Sequence, residues 1–211
     1  MNEMLMLPLG PLQTNCYILA CTETMTAAVI DPGWNGRSLA ATLDERGYTL
    51  SHILLTHSHF DHVGGLAELK AEKAAPIHIH PEAIPMLEQA VMSAAFWNIR
   101  IPAPPPPDEM LADKQILQVG HLTVHVLYTP GHAPGHVSLY LPEHGVLFSG
   151  DALFQGSIGR TDLPGGNHSL LLRSIHERLL PLPDATQVLS GHGPATTIGQ
   201  ERQLNPFLID D

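Results

Sequence analysis

The segment HSHFDH at residues 57–62 gathers metal-ligand side chains on one short turn after the apolar run 53–55; these are His57, His59, Asp61 and His62. Neutral imidazole and carboxylate are ligands that borderline divalent ions such as Zn(II), Fe(II) and Mn(II) accept. In an extended segment, residues two apart point to the same side, so His57 and His59 can serve one ion. Asp61 and His62 follow where the chain bends toward a predicted helix, and they can serve a second ion.

Three further polar residues also come directly after predicted strands: His132, Asp151 and His192. In layered α/β folds, the loops that follow several strands commonly meet at one end of a sheet and bind ligands there. Seven ligands are too many for one tetrahedral ion. They suit two ions about 3.5–4 Å apart that share a bridging carboxylate. The spacing therefore predicts a dinuclear metal site built from strand ends.

The first half of the chain alternates apolar β-prone runs with helical patterns. The predicted strands are a hairpin over 16–20 and 26–30, then 51–56 and 76–81, and the predicted helices are 38–48, with Gly47 as its cap, 64–75 and 82–96. Residues 99–110 are rich in proline, which is typical either of a peptide-recognition motif or of a stiff surface crossover. The mid-chain position favours the crossover.

The second half is rich in strands. The pattern predicts strands over 115–120, 122–130, 136–142 and 145–151, a helix over 168–180 and a last strand over 186–191. Strands in two sheets with helices outside are expected, which is an α/β fold in a single domain over 1–211. Apolar spacing in 84–96 favours packing of this segment, with Phe96 and Trp97, on the core over a substrate wall.

Composition narrows the function classes. The 211 residues include 44% hydrophobic and 15% charged residues, which is a globular balance. A net charge of −11 with only 10 Lys and Arg argues against nucleic acid as a partner. No run of about 18 apolar residues predicts a membrane span, and the acidic start without a basic region argues against a signal peptide. With Cys16 and Cys21 as buried thiols, a cytoplasmic protein is expected.

The motifs THSHFDH, PGHAPGH, SGD and SGHGP, in this order, resemble those of the metallo-β-lactamase superfamily, and more narrowly glyoxalase II and its short stand-alone bacterial relatives. The resemblance extends from 31 to 207. It implies a four-layer αβ/βα sandwich with two divalent ions, zinc first and iron or manganese as alternatives. It also implies the ligand sets: His57, His59 and His132 for one ion, Asp61, His62 and His192 for the other, and Asp151 as the bridge.

The resemblance implies hydrolysis of a small thioester, S-lactoylglutathione in the first place, by a metal-bridging hydroxide held by Asp61 and Asp151. A carboxylate at the bridging position speaks against a β-lactamase, since many of those use Cys or another residue there. Two alternatives stay open. One is a mononuclear iron persulfide dioxygenase of the same superfamily, and the other is a hydrolase of another small ester or lactone.

For three further residues, the resemblance implies a role in the site, and an ordinary structural role is the alternative. Asp31 is either a hydrogen-bond acceptor behind a ligating histidine or a turn residue, and His136 is a supporting or structural group. Arg160 occupies the place of a basic residue that contacts glutathione in glyoxalase II, but Asp162 stands where relatives have an aromatic residue, and an Arg160–Asp162 ion pair is the alternative. Only 19 residues follow His192, too few for the C-terminal helical domain of classical glyoxalase II.

Overall fold

The computed structural model describes residues 2–209 and divides into two compact units. The first unit comprises the residues up to 111 together with 118–122, and the second comprises 112–117 and the residues from 123 onward. The prediction of a single domain over 1–211 stays a prediction. No helix within the described range combines the length and the apolar character that a membrane-spanning segment needs.

The first sheet has six strands in the order β1-β2-β3-β4-β5-β6. They are β1 (Asn2–Leu9), β2 (Thr14–Cys21), β3 (Thr26–Ile30), β4 (Thr49–Leu54), β5 (Ile77–Ile79) and β6 (Glu109–Met110). The predicted hairpin is confirmed as the antiparallel pair β2 and β3, whereas β3 to β6 run parallel. Sequence reasoning missed β1, an edge strand that contains Pro8, because proline within a run lowers its strand signal.

Five α-helices belong to the first unit: α1 (Gly36–Glu45), α2 (Phe60–Val63), α3 (Leu66–Glu72), α4 (Ile84–Glu88) and α5 (Ala90–Phe96). The helix predicted over 64–75 is α3, but a separate turn, α2, precedes it and contains Asp61 and His62. The helix predicted over 82–96 is a 3₁₀ turn (Pro81–Ala83) followed by α4 and α5. Pro85 lacks a backbone N–H and is accommodated in the first turn of α4, which explains why a helix starts there.

One face of the first sheet packs against these helices and forms an apolar core with Leu39, Leu43 and Leu66. Helix α5 buries Ala90 and Ala94 in this core and packs against α2. The expectation that the segment 84–96 packs on the core is confirmed by Leu87, Ala90 and Ala94, but it was wrong for Phe96, which is 82% exposed, and for Trp97, which is 48% exposed. The buried positions Ala83, Leu87, Ala90 and Ala94 keep helical spacing across Gln89, although α4 ends and α5 begins at that residue.

The second sheet has the order β14-β13-β10-β9-β8-β7. Its strands are β7 (Ile116–Val119), β8 (Leu122–Tyr128), β9 (Val137–Leu141), β10 (Val146–Gly150), β13 (Gln187–Ser190) and β14 (Thr196–Thr197). A small hairpin adds β11 (Leu153–Phe154) and β12 (Ser157–Ile158). Helix α6 (His168–Ser174) continues as a π-helical turn (Ile175–Leu179), which confirms the helix predicted over 168–180, and α7 (Ile198–Leu204) follows β14.

The directions of these strands decide where their ends lie. β10 pairs parallel with β13 and antiparallel with β9, and β9 pairs antiparallel with β8. Therefore β8, β10 and β13 run in the same direction, and the residues that follow them emerge at the same edge of the sheet. His132, Asp151 and His192 are those residues.

Candidate metal centre

In the first unit the turn with the predicted ligands follows β4, and the neighbouring parallel strand β3 ends at Ile30, directly before Asp31. His59 has extended backbone angles and is the N-cap of α2, so the chain turns from strand to helix within the motif. Nε2 of His57 lies 3.1 Å from Nδ1 of His59, and Nε2 of His62 lies 3.6 Å from Oδ2 of Asp61. The four predicted ligands of this unit therefore form two adjacent pairs.

Asp31 accepts hydrogen bonds from several groups of this turn. It is buried, and its Oδ1 accepts from the Thr56 backbone N–H at 2.8 Å while its Oδ2 accepts from the Thr56 hydroxyl at 2.6 Å. Nδ1 of His62 lies 2.9 Å from the same Oδ2. A carboxylate only accepts, so this Nδ1 carries a proton and Nε2 presents its lone pair. The contact with a predicted ligand is the geometry expected of a supporting residue.

Thr56 fixes His57 by the same logic. The single hydroxyl proton of Thr56 is donated to Asp31, so the Thr56 oxygen accepts from Nδ1 of His57, 3.0 Å away. His57 is then the tautomer that presents the Nε2 lone pair. One buried carboxylate thus sets the ring orientation of both His57 and His62. Burial raises the pKa of the nearby Cys16 thiol well above its usual value, and the Asp31 charge raises it further.

Asp61 is held at its side chain and at its backbone. The Thr14 hydroxyl donates to Asp61 Oδ2 at 2.8 Å. The backbone of Gly33 lies so close that a Cβ at this position would overlap the carbonyl oxygen of Asp61. Glycine is required here because of this close approach and not because of its backbone angles.

In the second unit, Asp151 lies between two histidines. Its Oδ2 is 3.5 Å from Nε2 of His132 and 3.6 Å from Nε2 of His192. His132 and Asp151 are buried, and the His192 side chain is 32% exposed. The same carboxylate oxygen therefore faces two imidazole nitrogens, which is the arrangement that a bridging ligand needs.

His136 contacts the backbone of Asp151 and not its carboxylate. Nε2 of His136 accepts from the Asp151 backbone N–H at 3.0 Å, so its proton is on Nδ1 and is donated to Thr129 Oγ1 at 2.9 Å. Thr129 then donates to Ser138, 2.9 Å away, and Ser138 donates to the Ser149 carbonyl. This buried chain of hydrogen bonds holds His136 neutral and fixes the turn after β10.

The loop after β12 completes the surroundings of His132. Nδ1 of His132 donates to the Arg160 carbonyl at 2.8 Å, which leaves Nε2 for a metal ion. A Cβ on Gly159 would overlap the carbonyl oxygen of Asp151 and lie 3.0 Å from Nδ1 of His132. Gly159 thus matches Gly33: in each unit a glycine without positive φ lies against the backbone carbonyl of a predicted carboxylate ligand.

The Arg160 side chain forms the ion pair with Asp162 that the sequence left open as the alternative to a contact with substrate. Its Nε and Nη2 donate to Oδ1 and Oδ2 of Asp162, both at 2.7 Å, and both side chains are more than half exposed. The Arg160 hydrogen bonds lower the pKa of Asp162 to about 2, and the Asp162 hydrogen bonds raise the pKa of Arg160. The pair is therefore fully charged at any pH at which the protein works.

Helix α7 anchors this loop through a buried carboxylate. Oε2 of Glu201 accepts from the Gly156 backbone N–H at 2.8 Å and from the Asn205 amide at 2.8 Å, while its Oε1 accepts from Thr196 at 2.6 Å. Asn205 also donates to the Ser157 carbonyl. A buried polar group is stable when such hydrogen bonds satisfy it.

The distances within each unit suit the ions that the residue types imply. Two ligand atoms about 2.1 Å from a tetrahedral Zn²⁺ are about 3.4 Å apart. The pairs His57–His59, His62–Asp61, His132–Asp151 and His192–Asp151 have separations of 3.1–3.6 Å. His57, His62 and Asp31 also have ligand atoms that all lie within 4.8 Å of one another. The chemistry and the spacing of these groups fit divalent metal ions.

Sequence reasoning missed several supporting residues, namely Thr14, Gly33, Thr56, Thr129, Ser138, Gly159, Glu201 and Asn205. The position of Thr56 could have indicated its role, since it lies between a predicted strand and the predicted ligand His57. The two glycines had a weaker signal in the segments DPG and GSIG. Glu201 and Asn205 had none, because their contacts with the loop are to Gly156 and Ser157, which are 45 and 48 positions away.

The family model described as the metallo-beta-lactamase superfamily matches residues 9–192. The chain belongs to the metallo-β-lactamase superfamily, which confirms the family resemblance and the α/β fold class with two sheets.

Among curated relatives, the chain is 43% identical to a "Probable metallo-hydrolase YqgX" of Bacillus subtilis over 96% of this chain and 95% of that protein. It is 39% identical to "Hydroxyacylglutathione hydrolase GloC" of Haemophilus influenzae over 96% of each chain. Among solved structures, it is 45% identical to "BLEG-1 B3 metallo-beta-lactamase" (TM-score 0.92, 99% and 100% covered). It is 44% identical to "TTHA1623 in a di-iron-bound form" (TM-score 0.89, 97% and 100% covered).

Proposed function

We propose that this chain is a binuclear metal-dependent hydrolase of thioesters, with S-lactoylglutathione as the first substrate to test. The observation that carries the proposal is the position of Asp151, whose Oδ2 faces Nε2 of both His132 and His192. A carboxylate oxygen shared by two imidazoles suits a bridge between two ions. The relative named hydroxyacylglutathione hydrolase GloC supports this choice of substrate.

The residues that would hold the two ions follow the family pattern: His57, His59 and His132 for one, Asp61, His62 and His192 for the other, and Asp151 for both. Zinc is favoured by the imidazole-rich ligand set, with iron and manganese as alternatives. The relative crystallised with two iron ions supports both the number of ions and the iron alternative. Such a pair supplies an activated water and positive charge near the substrate carbonyl.

The chain's own groups do the rest. Asp61 and Asp151 orient the attacking water, and Thr14 and His136 hold these two acids in place. Water adds to the thioester carbonyl, the carbon–sulfur bond breaks, and the products are a hydroxy acid and a thiol that receives the proton. The chain needs no side-chain nucleophile for this reaction.

The test is hydrolysis of S-lactoylglutathione by protein whose metal content is measured in the same sample. Turnover with close to two ions per chain supports the proposal. Protein that holds two ions but does not release thiol contradicts the choice of thioester. Oxygen consumption with glutathione persulfide by protein that holds one iron ion would instead support the dioxygenase alternative.

A second candidate is hydrolysis of β-lactams, and the observation that favours it is the 45% identity to a structure titled as a B3 metallo-β-lactamase. Asp151 at the bridging position speaks against it. The same metal-loaded sample should be assayed with a chromogenic cephalosporin. We expect a kcat/KM far below that for the thioester, and the reverse order would make β-lactams the substrate class.

A further inference from the structure

The loop that carries Arg160 is fixed along its backbone. Glu201 and Asn205 hold Gly156 and Ser157, Gly159 lies against the Asp151 carbonyl, and the Arg160 carbonyl accepts from His132. The Arg160 backbone is therefore tied directly to a predicted metal ligand. Its side chain starts from a fixed backbone position next to that ligand.

The Arg160 guanidinium already has a partner. Asp162 receives two parallel hydrogen bonds from it, which is the geometry in which arginine binds a carboxylate of a ligand. Asp162 therefore occupies the Nε–Nη2 edge of Arg160, one of the two edges through which arginine can bind a substrate carboxylate with two hydrogen bonds. The exposed fractions of the two side chains are 52% and 66%, so the pair is open to water and to exchange with a dissolved anion.

We propose that Asp162 is a specificity-determining residue that competes with carboxylate groups of the substrate for Arg160. This inference rests on the proposed thioesterase function. It assigns a substrate preference: thioesters whose thiol part carries no carboxylate lose nothing to this competition, whereas glutathione thioesters must displace Asp162 before they bind the Nε–Nη2 edge of Arg160. The selectivity of the chain for glutathione is then limited by its own aspartate.

The charge of Asp162 makes the competition permanent. With its pKa lowered to about 2, Asp162 stays ionised, so a change of pH in the physiological range does not release Arg160. The exposed position also limits the size of the effect. Exposed ion pairs contribute little free energy, which corresponds to a change in ligand affinity of about two- to fivefold.

The experiment compares two substrates with the same acyl group, S-lactoylglutathione and the uncharged S-lactoyl-N-acetylcysteamine. We expect Asp162→Asn to lower KM for the glutathione thioester about two- to fivefold, to leave kcat within about twofold, and to leave KM for the uncharged thioester unchanged. Adding Arg160→Gln to Asp162→Asn should abolish the gain. Asp184→Asn is the matched control. Asp184 forms another exposed ion pair, with Arg202, and its substitution removes the same charge as Asp162→Asn.

A second measurement separates this inference from the proposed function. Binding of S-methylglutathione, which cannot be hydrolysed, is measured by calorimetry for the wild type, Asp162→Asn and Asp184→Asn. If neither thioester is cleaved but Asp162→Asn alone binds S-methylglutathione more tightly, the thioesterase function fails and the competition for Arg160 stands. Equal binding by all three proteins, or an equal change of KM for both substrates, overturns the inference whatever the activity.

Discussion

The two groups of predicted ligands differ in how the chain builds them. The group of the first unit consists of four residues within positions 57–62, on one turn between β4 and α2. The group of the second unit consists of His132, Asp151 and His192, which follow three different strands that run in the same direction. The first is local in sequence, and the second exists only when its sheet has formed.

The groups also differ in what supports them. In the first unit one buried carboxylate, Asp31, orients His57 through Thr56 and contacts His62 directly. In the second unit, backbone groups have this role: the Arg160 carbonyl orients His132, and the Asp151 N–H is held by neutral His136. Charged support in one unit and neutral support in the other should respond differently to substitution.

The largest effects are expected from the ligands themselves. Asp151→Ala should remove both ions and His57→Ala mainly one, because Asp151 is proposed to bridge them. Both should lower kcat/KM by more than the roughly 100-fold that loss of a residue behind a ligand costs. Metal content by mass spectrometry and activity are measured together, with circular dichroism as the check on folding. Full activity in either variant contradicts the ligand assignment.

The next effects concern the two close glycines. Gly33→Ala should displace the backbone of Asp61, and Gly159→Ala that of Asp151, so each should lower metal affinity and thermal stability. Gly145→Ala is a stringent control, since it has a positive φ but open space around its Cβ position. If the metal content of Gly33→Ala and Gly159→Ala equals that of the control, close approach is not the reason for glycine at these positions.

The supporting residues should give intermediate effects and test the difference between charged and neutral support. Asp31→Asn should weaken metal binding about 10- to 100-fold, because the amide loses the charge and offers a donor toward His62. His136→Gln, which keeps a group able to accept from the Asp151 N–H, should weaken it less. The measurement is the metal dissociation constant of each variant by chelator competition. A larger loss of metal affinity in His136→Gln than in Asp31→Asn would contradict the stronger role of charged support.

The smallest effect lies outside both ligand groups. Burial lowers the pKa of His78, and the nearby ring of His52 lowers it further. A histidine with a lowered pKa in the folded state binds protons more readily when unfolded, so stability is full above the unfolded pKa of about 6.5 and falls as pH drops below it. His78→Phe should therefore show a smaller decrease of Tm between pH 7.5 and 5.5.

His144→Phe is the control for this pH series, because His144 is exposed and lies outside the site. It should keep the wild-type dependence of Tm on pH. A decrease of Tm in His78→Phe as steep as that of the wild type would mean that His78 does not contribute to acid sensitivity.

Much of the site was predictable because its ligands follow strands. The order of apolar run, turn and polar residue located His57, His132, Asp151 and His192 at strand ends, and β4, β8, β10 and β13 confirm those strands. Boundaries were less predictable: α2 and the break between α4 and α5 depend on local backbone geometry that apolar periodicity does not encode. The edge strand β1 was missed because Pro8 lowers the strand signal of its apolar run.

The sequence by itself determined the types of predicted ligand, their grouping after strands and the superfamily, because imidazole and carboxylate suit borderline divalent ions whatever surrounds them. Only the tertiary structure decided which ring nitrogen each histidine presents and that Asp151 faces both His132 and His192. It also decided that Arg160 is paired with Asp162. These properties depend on hydrogen bonds between residues far apart in the chain, and a linear pattern carries no information about such partners.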